Sequence, residues 1–153
     1  MKKNTIKRIK EAFPHFNERP ITENDFWRAS KKFKIVVRRL PLEIDGYYER
    51  YKGRNYILLS ERLTGRKWLH TALHEFCHFL FDVPIGKTNY VLYRKRSDID
   101  RDDPRERWAD AFATICLMPF PEIIRLSKEP PPEDQDTLRL CLDRLTVKSH
   151  YGI

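Results

Sequence analysis

Two histidines and a glutamate within one short string, H-E-F-C-H from His74 to His78, could form a hydrolytic metal site. Histidines four residues apart lie one above the other on a helix, so both can bind the same metal ion. Glu75 follows the first histidine by about 100° around the helix, where its carboxylate can reach a water molecule on that metal. The string therefore predicts two metal ligands beside a general base.

The segment that carries this string has the pattern of a helix buried on one side. An apolar face is predicted from four residues spaced four, three and four apart: Leu69, Leu73, Phe76 and Leu80. Pro84 is expected to end the helix soon after Phe81. The alternative, a surface helix with two solvated histidines, does not account for the apolar face.

A second helix is predicted from Pro104 to about Met118, because proline is favoured at the first helical position. Glu106 and Asp110 are four residues apart and therefore share one face of that helix. Glu106 could supply the carboxylate that completes a site of two histidines and leaves one position open for water. Asp110 could accept the outer N–H of a ligand histidine. The alternative is that Glu106 only caps the helix and Asp110 is only exposed.

With both motifs identified, the sequence resembles the ImmA/IrrE family of metallo-endopeptidases. That family combines H-E-x-x-H with a later helix that reads E-x-x-A-[ND]-x-F-A and continues into L-M-P. The first pattern is met by residues 74–78, and the second by residues 106–113 and 117–119. The resemblance extends over roughly residues 26–119, and it also fits the strand at residues 55–59 before the metal-motif helix.

The resemblance implies a role for each motif residue. His74, His78 and Glu106 would be zinc ligands, with manganese as the alternative metal, and Glu75 would be the catalytic base. The implied substrate is a helix-turn-helix transcriptional repressor, whose cleavage would relieve repression in a stress response or a mobile element. Two other hypotheses stay open: a non-cleaving module that binds a repressor or DNA, and a toxin–antitoxin component. No small-molecule cofactor is expected.

Peptide hydrolysis also needs a group that stabilises the oxyanion, and the sequence offers three candidates: His70, Tyr90 and Tyr93. His70 lies one helical turn before His74 and could in principle be a further ligand. A straight helix, however, rarely directs three successive turns at one ion, so an outer or solvated position is the better expectation for His70.

Several elements are predicted around these motifs. A helix that opens near Thr22 is expected to turn Phe26, Ala29 and Phe33 inward, with Trp27 as a further candidate. Strands are predicted at residues 35–37 and in a hairpin over residues 46–59, and residues 90–93 are compatible with a short strand.

The predicted fold class is α+β: a small mixed or antiparallel sheet of about three strands, packed on the metal-motif helix and followed by a helical C-terminal part. This is a minimal zincin-like arrangement. We expect one metallopeptidase domain over residues 1–153, with a core at about residues 22–119 and a helical tail at 121–153.

Composition bears on the expected location of the protein and on its expected partners. No stretch approaches the roughly 18 apolar residues of a membrane span, and the three widely spaced cysteines form no disulfide framework. We therefore expect a cytoplasmic protein without membrane contact. The net charge of +8 would suit an acidic protein partner or a nucleic acid. Support for nucleic-acid contact is weak, because no recognition motif accompanies the charge.

Overall fold

The computed structural model describes residues 2–93 and 103–153. Within these ranges it contains six helices and a four-stranded sheet, which confirms the predicted α+β class. In chain order the elements are α1 (Lys3–Ala12), α2 (Glu23–Lys32), β1 (Ile35–Leu40), β2 (Gly46–Tyr51), β3 (Arg54–Ser60), α3 (Gly65–Phe81), β4 (Tyr90–Tyr93), α4 (Pro104–Leu117), α5 (Phe120–Ser127) and α6 (Gln135–Tyr151).

The chain divides into two compact units. One contains Met1–Thr22 and Thr114–Ile153, and the other contains Glu23–Ala113. All four strands, α2 and α3 belong to the second unit, together with the first ten residues of α4. The expectation of one metallopeptidase domain over the whole chain stays a prediction.

The sheet is mixed, with strand order β1-β3-β2-β4. β1 runs parallel to β3, whereas β2 runs antiparallel to both β3 and β4. The hairpin predicted over residues 46–59 forms β2 and β3. The sheet has one strand more than the three expected, because residues 90–93 pair with β2 as an edge strand. Such pairing between distant segments depends on register, which local sequence pattern does not specify.

The metal-motif helix α3 packs against β2 and β3. Its predicted apolar face is buried as expected: Leu69, Leu73, Phe76 and Leu80. The approach is close at Gly46, where an added Cβ atom would lie 2.8 Å from the Leu58 carbonyl oxygen and 3.2 Å from Thr71 Cγ2 of α3. Glycine at this position therefore lets the helix lie directly on the sheet.

Aromatic rings anchor the inner side of α3. The fully buried Phe76 makes edge-to-face contacts with Phe26 and Phe33, at ring-centroid distances of 6.1 and 6.2 Å, and with Phe79 at 5.5 Å. Edge-to-face pairs add stabilisation beyond the burial of apolar area. Trp27, which was a candidate for the interior, is instead 46% exposed. The cluster fixes the helix so that its opposite side can carry polar groups.

In the other unit, a buried arginine connects separate segments of backbone. Arg144 of α6 donates from Nε to the Met118 carbonyl oxygen at 2.7 Å and from Nη1 to the Ile153 backbone oxygen at 2.6 Å. Its Nη2 donates to Asn17 Oδ1 at 3.2 Å, and that oxygen also accepts the Phe120 N–H. Burial lowers the pKa of Arg144 from its ordinary value. These hydrogen bonds satisfy a side chain that would otherwise be costly to bury.

Among residues 2–93 and 103–153, no helix combines the length and the apolar character that a membrane crossing requires.

Replacement of Phe76 by alanine is expected to lower the free energy of unfolding by about 3–5 kcal/mol, because a large buried ring is removed and a cavity remains. Trp27→Ala is the matched control, since Trp27 contacts the same cluster at Phe26 but is about half exposed, and its loss of stability should be clearly smaller. Urea unfolding followed by circular dichroism measures both changes. Equal losses for the two variants would contradict the account of how α3 is anchored.

Candidate metal centre

Three side chains from α3 and α4 direct donor atoms at one point. The Nε2 atoms of His74 and His78 lie 3.1 Å apart. Glu106 Oε2 lies 3.1 Å from His74 Nε2, and Glu106 Oε1 lies 3.2 Å from His78 Nε2. A tetrahedral ion with bonds of about 2.0 Å separates its ligand atoms by about 3.3 Å. These distances are close to that spacing, and one donor atom from each of His74, His78 and Glu106 lies within 4.8 Å of the others, so the three residues could hold one metal ion.

Each histidine is oriented by a carboxylate on its outer nitrogen. His74 Nδ1 lies 2.7 Å from Asp110 Oδ1, and His78 Nδ1 lies 2.8 Å from Asp82 Oδ2. An ionised carboxylate can only accept, and these contacts are shorter than the 3.1 and 3.2 Å from the Nε2 atoms to Glu106, so the hydrogen of each neutral ring is favoured on Nδ1. Both Nε2 lone pairs then point toward Glu106. This is the arrangement in which metal-ligating histidines are usually held.

The close approach of His74, His78 and Glu106 shifts the pKa values of all three side chains. Burial acts to lower the pKa of His74, but hydrogen bonds to Asp110 and Glu106 outweigh it and raise that pKa to about 10. For His78, burial is likewise outweighed by hydrogen bonds to Asp82 and Glu106, and its pKa rises to about 9. Burial also opposes ionisation of Glu106, yet its two histidine partners hold its pKa well below the usual range. The cluster therefore favours a bound cation, either protons or a metal ion.

Glu75 lies beside the cluster in a buried position. Its Oε2 atom is inaccessible and has no hydrogen-bond partner among the described residues. Burial raises the pKa of Glu75 to about 7, although the nearby charges of His74 and His78 pull it down. A buried carboxylate oxygen without a partner is costly unless a further group occupies the adjacent space. This oxygen is therefore the polar atom of Glu75 whose hydrogen-bonding capacity the described residues leave unused.

The candidates for oxyanion stabilisation are placed less centrally. His70 is half-buried on α3 and is not among the donor residues that converge. It lies near Asp110. Burial acts to raise the pKa of Asp110, but the hydrogen bond to His74 and the charges of His74 and His70 outweigh burial and lower that pKa. Tyr90 is half-buried on β4, and no hydrogen bond links it to either histidine within the described residues. The side chain of Tyr93 lies outside the described residues, so its candidacy stays a prediction.

Asp82 is the residue at this centre that sequence analysis did not identify. It directly follows α3 and is four residues beyond His78, the same spacing that relates His74 to His78. That i, i+4 spacing was the available signal. This spacing indicates a contact between His78 and Asp82 only if the helix is known to extend as far as Phe81.

A small mixed sheet that supports a helix with two histidines, completed by a glutamate from the next helix, defines a metallopeptidase-like α+β protein. Residues 30–153 match the model of the IrrE N-terminal-like domain family, Peptidase_M78. The chain belongs to this family, which confirms the resemblance found in the sequence. Membership supports a metallopeptidase-type function with a protein substrate. A search of curated proteins and a search of solved structures each returned no match.

Loading the centre with Zn²⁺ at pH 7 is expected to release about two protons, because both histidines are protonated below a pKa of about 9 and metal ligands must be neutral. The apparent affinity should therefore rise with pH up to about 9. Calorimetry in buffers of different ionisation enthalpy measures the release. The exposed His150 provides a control, since His150→Gln should leave the release unchanged. Zinc binding without proton release at pH 7 would contradict this electrostatic account.

Proposed function

We propose that this chain is a zinc-dependent endopeptidase that cleaves a helix-turn-helix transcriptional repressor. The observation that carries the proposal is the convergence of two imidazole nitrogens, 3.1 Å apart, on the Glu106 carboxylate, whose two oxygens lie 3.1 and 3.2 Å from them. Next to them is a buried Glu75 oxygen that has no hydrogen-bond partner among the described residues. Family membership supports the peptidase class. The proposal adds the metal, the roles of the residues and the substrate.

His74, His78 and Glu106 are the proposed metal ligands, and zinc is preferred because two histidines with one glutamate form a set typical of hydrolytic zinc sites. Manganese is the alternative, since it also accepts nitrogen and oxygen ligands. When bound, the ion would polarise the scissile carbonyl and lower the pKa of the attacking water. Asp110 holds His74 in the orientation that this requires, through the hydrogen bond at 2.7 Å.

Glu75 is the proposed general base. It takes a proton from the attacking water at the Oε2 atom and passes it to the nitrogen of the leaving amine, so that one water molecule is consumed for each peptide bond broken. Its raised pKa of about 7 suits both steps near neutral pH, because the ionised and protonated forms are close in free energy. Burial, the main cause of that shift, is also what keeps bulk water from competing for the carboxylate.

The proposed substrate rests on the resemblance to the ImmA/IrrE family. Cleavage of a repressor would release genes of a stress response or a mobile element, and the reaction would take place in the cytoplasm, where the repressor binds DNA. The net charge of +8 is compatible with an acidic surface on the substrate. An oxyanion-stabilising group is still required, and His70, Tyr90 and Tyr93 remain its candidates.

Replacement of Glu75 by glutamine is expected to reduce repressor cleavage by about 10²–10⁴-fold, because the amide keeps the size of the side chain but cannot accept the water proton. Zinc binding should persist in this variant. Cleavage is measured by co-incubating the zinc-loaded protein with purified helix-turn-helix repressors from the same organism and resolving fragments by mass spectrometry.

Asp143→Asn provides a matched carboxylate-to-amide control, since Asp143 is exposed on α6. It should cleave at the rate of the unmodified protein. Equal relief of repression by the unmodified protein and Glu75→Gln, with fragments from neither, would exclude peptide cleavage as the mechanism. That outcome would favour the hypothesis of a non-cleaving repressor-binding module.

A further inference from the structure

Asp82 is the only carboxylate within hydrogen-bond distance of the outer nitrogen of His78 among the described residues, at 2.8 Å from Nδ1. We propose that Asp82 is a positioning residue for metal binding: it holds the hydrogen of His78 on Nδ1 and so keeps the Nε2 lone pair directed at the metal centre. This inference rests on the proposed role of His78 as a ligand. It extends the site to a residue outside both sequence motifs.

The local geometry explains why Asp82 can do this. α3 ends at Phe81, and the backbone N–H of Asp82 donates to the His78 carbonyl oxygen at 2.9 Å, so the last turn keeps helical spacing. The Asp82 side chain therefore lies one turn above His78 on the same side of the helix. Because His78 lies in the last turn of α3 and Asp82 is the C-cap residue of the same helix, their hydrogen bond does not depend on the approach of a second element.

Shielding from water distinguishes Asp82 from the carboxylate that serves His74. The side chain of Asp82 is 11% exposed and that of His78 is 2% exposed, whereas Asp110 is 54% exposed. Water competes poorly for a hydrogen bond between two buried groups, so that bond holds the ring more firmly. The orientation of His78 therefore depends on Asp82, with little help from solvent.

The competing tautomer shows what would be lost without Asp82. Glu106 Oε1 lies 3.2 Å from His78 Nε2 and would accept a hydrogen placed on that atom. Without the Asp82 carboxylate, a neutral His78 ring would favour this tautomer, in which the hydrogen blocks the metal position. Metal binding would then have to shift the hydrogen to a buried Nδ1 atom without an acceptor, which costs free energy.

The test compares Zn²⁺ affinity, measured by competition with a chromophoric chelator at a fixed pH, among three single variants. Asp82→Ala is expected to weaken binding by about 10–100-fold, the range typical for loss of an outer carboxylate. Asp82→Asn should lose less, because its amide oxygen still accepts from Nδ1. Asp143→Ala, on the exposed face of α6, should bind zinc as the unmodified protein does. Circular dichroism establishes that each variant is folded before its affinity is measured.

A double-mutant cycle separates positioning from a general structural or electrostatic role. In a His78→Ala background, Asp82→Ala should cause no further loss of zinc affinity, because the ring that it positions is gone. An equal loss in both backgrounds, or unchanged affinity in Asp82→Ala and Asp82→Asn, would overturn the inference. Failure of the unmodified protein to bind zinc would instead overturn the proposed function on which the inference rests.

Discussion

The structure depends on one electrostatic constraint: two imidazole nitrogens lie about 3 Å apart, and each also lies about 3 Å from one oxygen of the Glu106 carboxylate. Such an arrangement is unfavourable unless a cation lies among these atoms. The raised pKa values of His74 and His78 express the same constraint, because protons take the place of the cation when no metal is bound. The outer carboxylates, Asp82 and Asp110, increase this demand for positive charge, since they keep both rings facing inward.

Packing supplies the free energy that holds this arrangement. α3 is apolar on the side that faces the sheet, where Phe76 and its aromatic neighbours fix its position. The helix therefore cannot rotate to separate the histidines without exposing that face to water. Glu75 is buried on the same helix, so one helix carries both the proposed ligand pair and the proposed base. The proposed function requires that a stable helix hold these charged groups close together.

Much of the site could be predicted from sequence because it depends on local spacing. The helical period predicted that His74 and His78 share one face, and the second motif added Glu106 and Asp110. The predicted hairpin over residues 46–59 located β2 and β3. Features that depend on distant contacts were not predicted in the same way. The pairing of β4 with β2, the exposure of Trp27 and the complete burial of Arg144 arise from tertiary packing. Asp82 lies between these two cases. Its spacing of four residues from His78 is visible in the sequence, but a contact between them could be predicted only if the helix was known to extend as far as Phe81.

The central claim is that His74, His78 and Glu106 bind one zinc ion beside Glu75. Anomalous diffraction from crystals of the zinc-loaded protein, recorded on both sides of the zinc absorption edge, tests it most directly. The account predicts one strong anomalous peak per chain, about 2.0–2.2 Å from both Nε2 atoms and from a Glu106 carboxylate oxygen, with Glu75 Oε2 facing the remaining position. No peak at these atoms under saturating zinc, or a peak held by other residues, would contradict the claim.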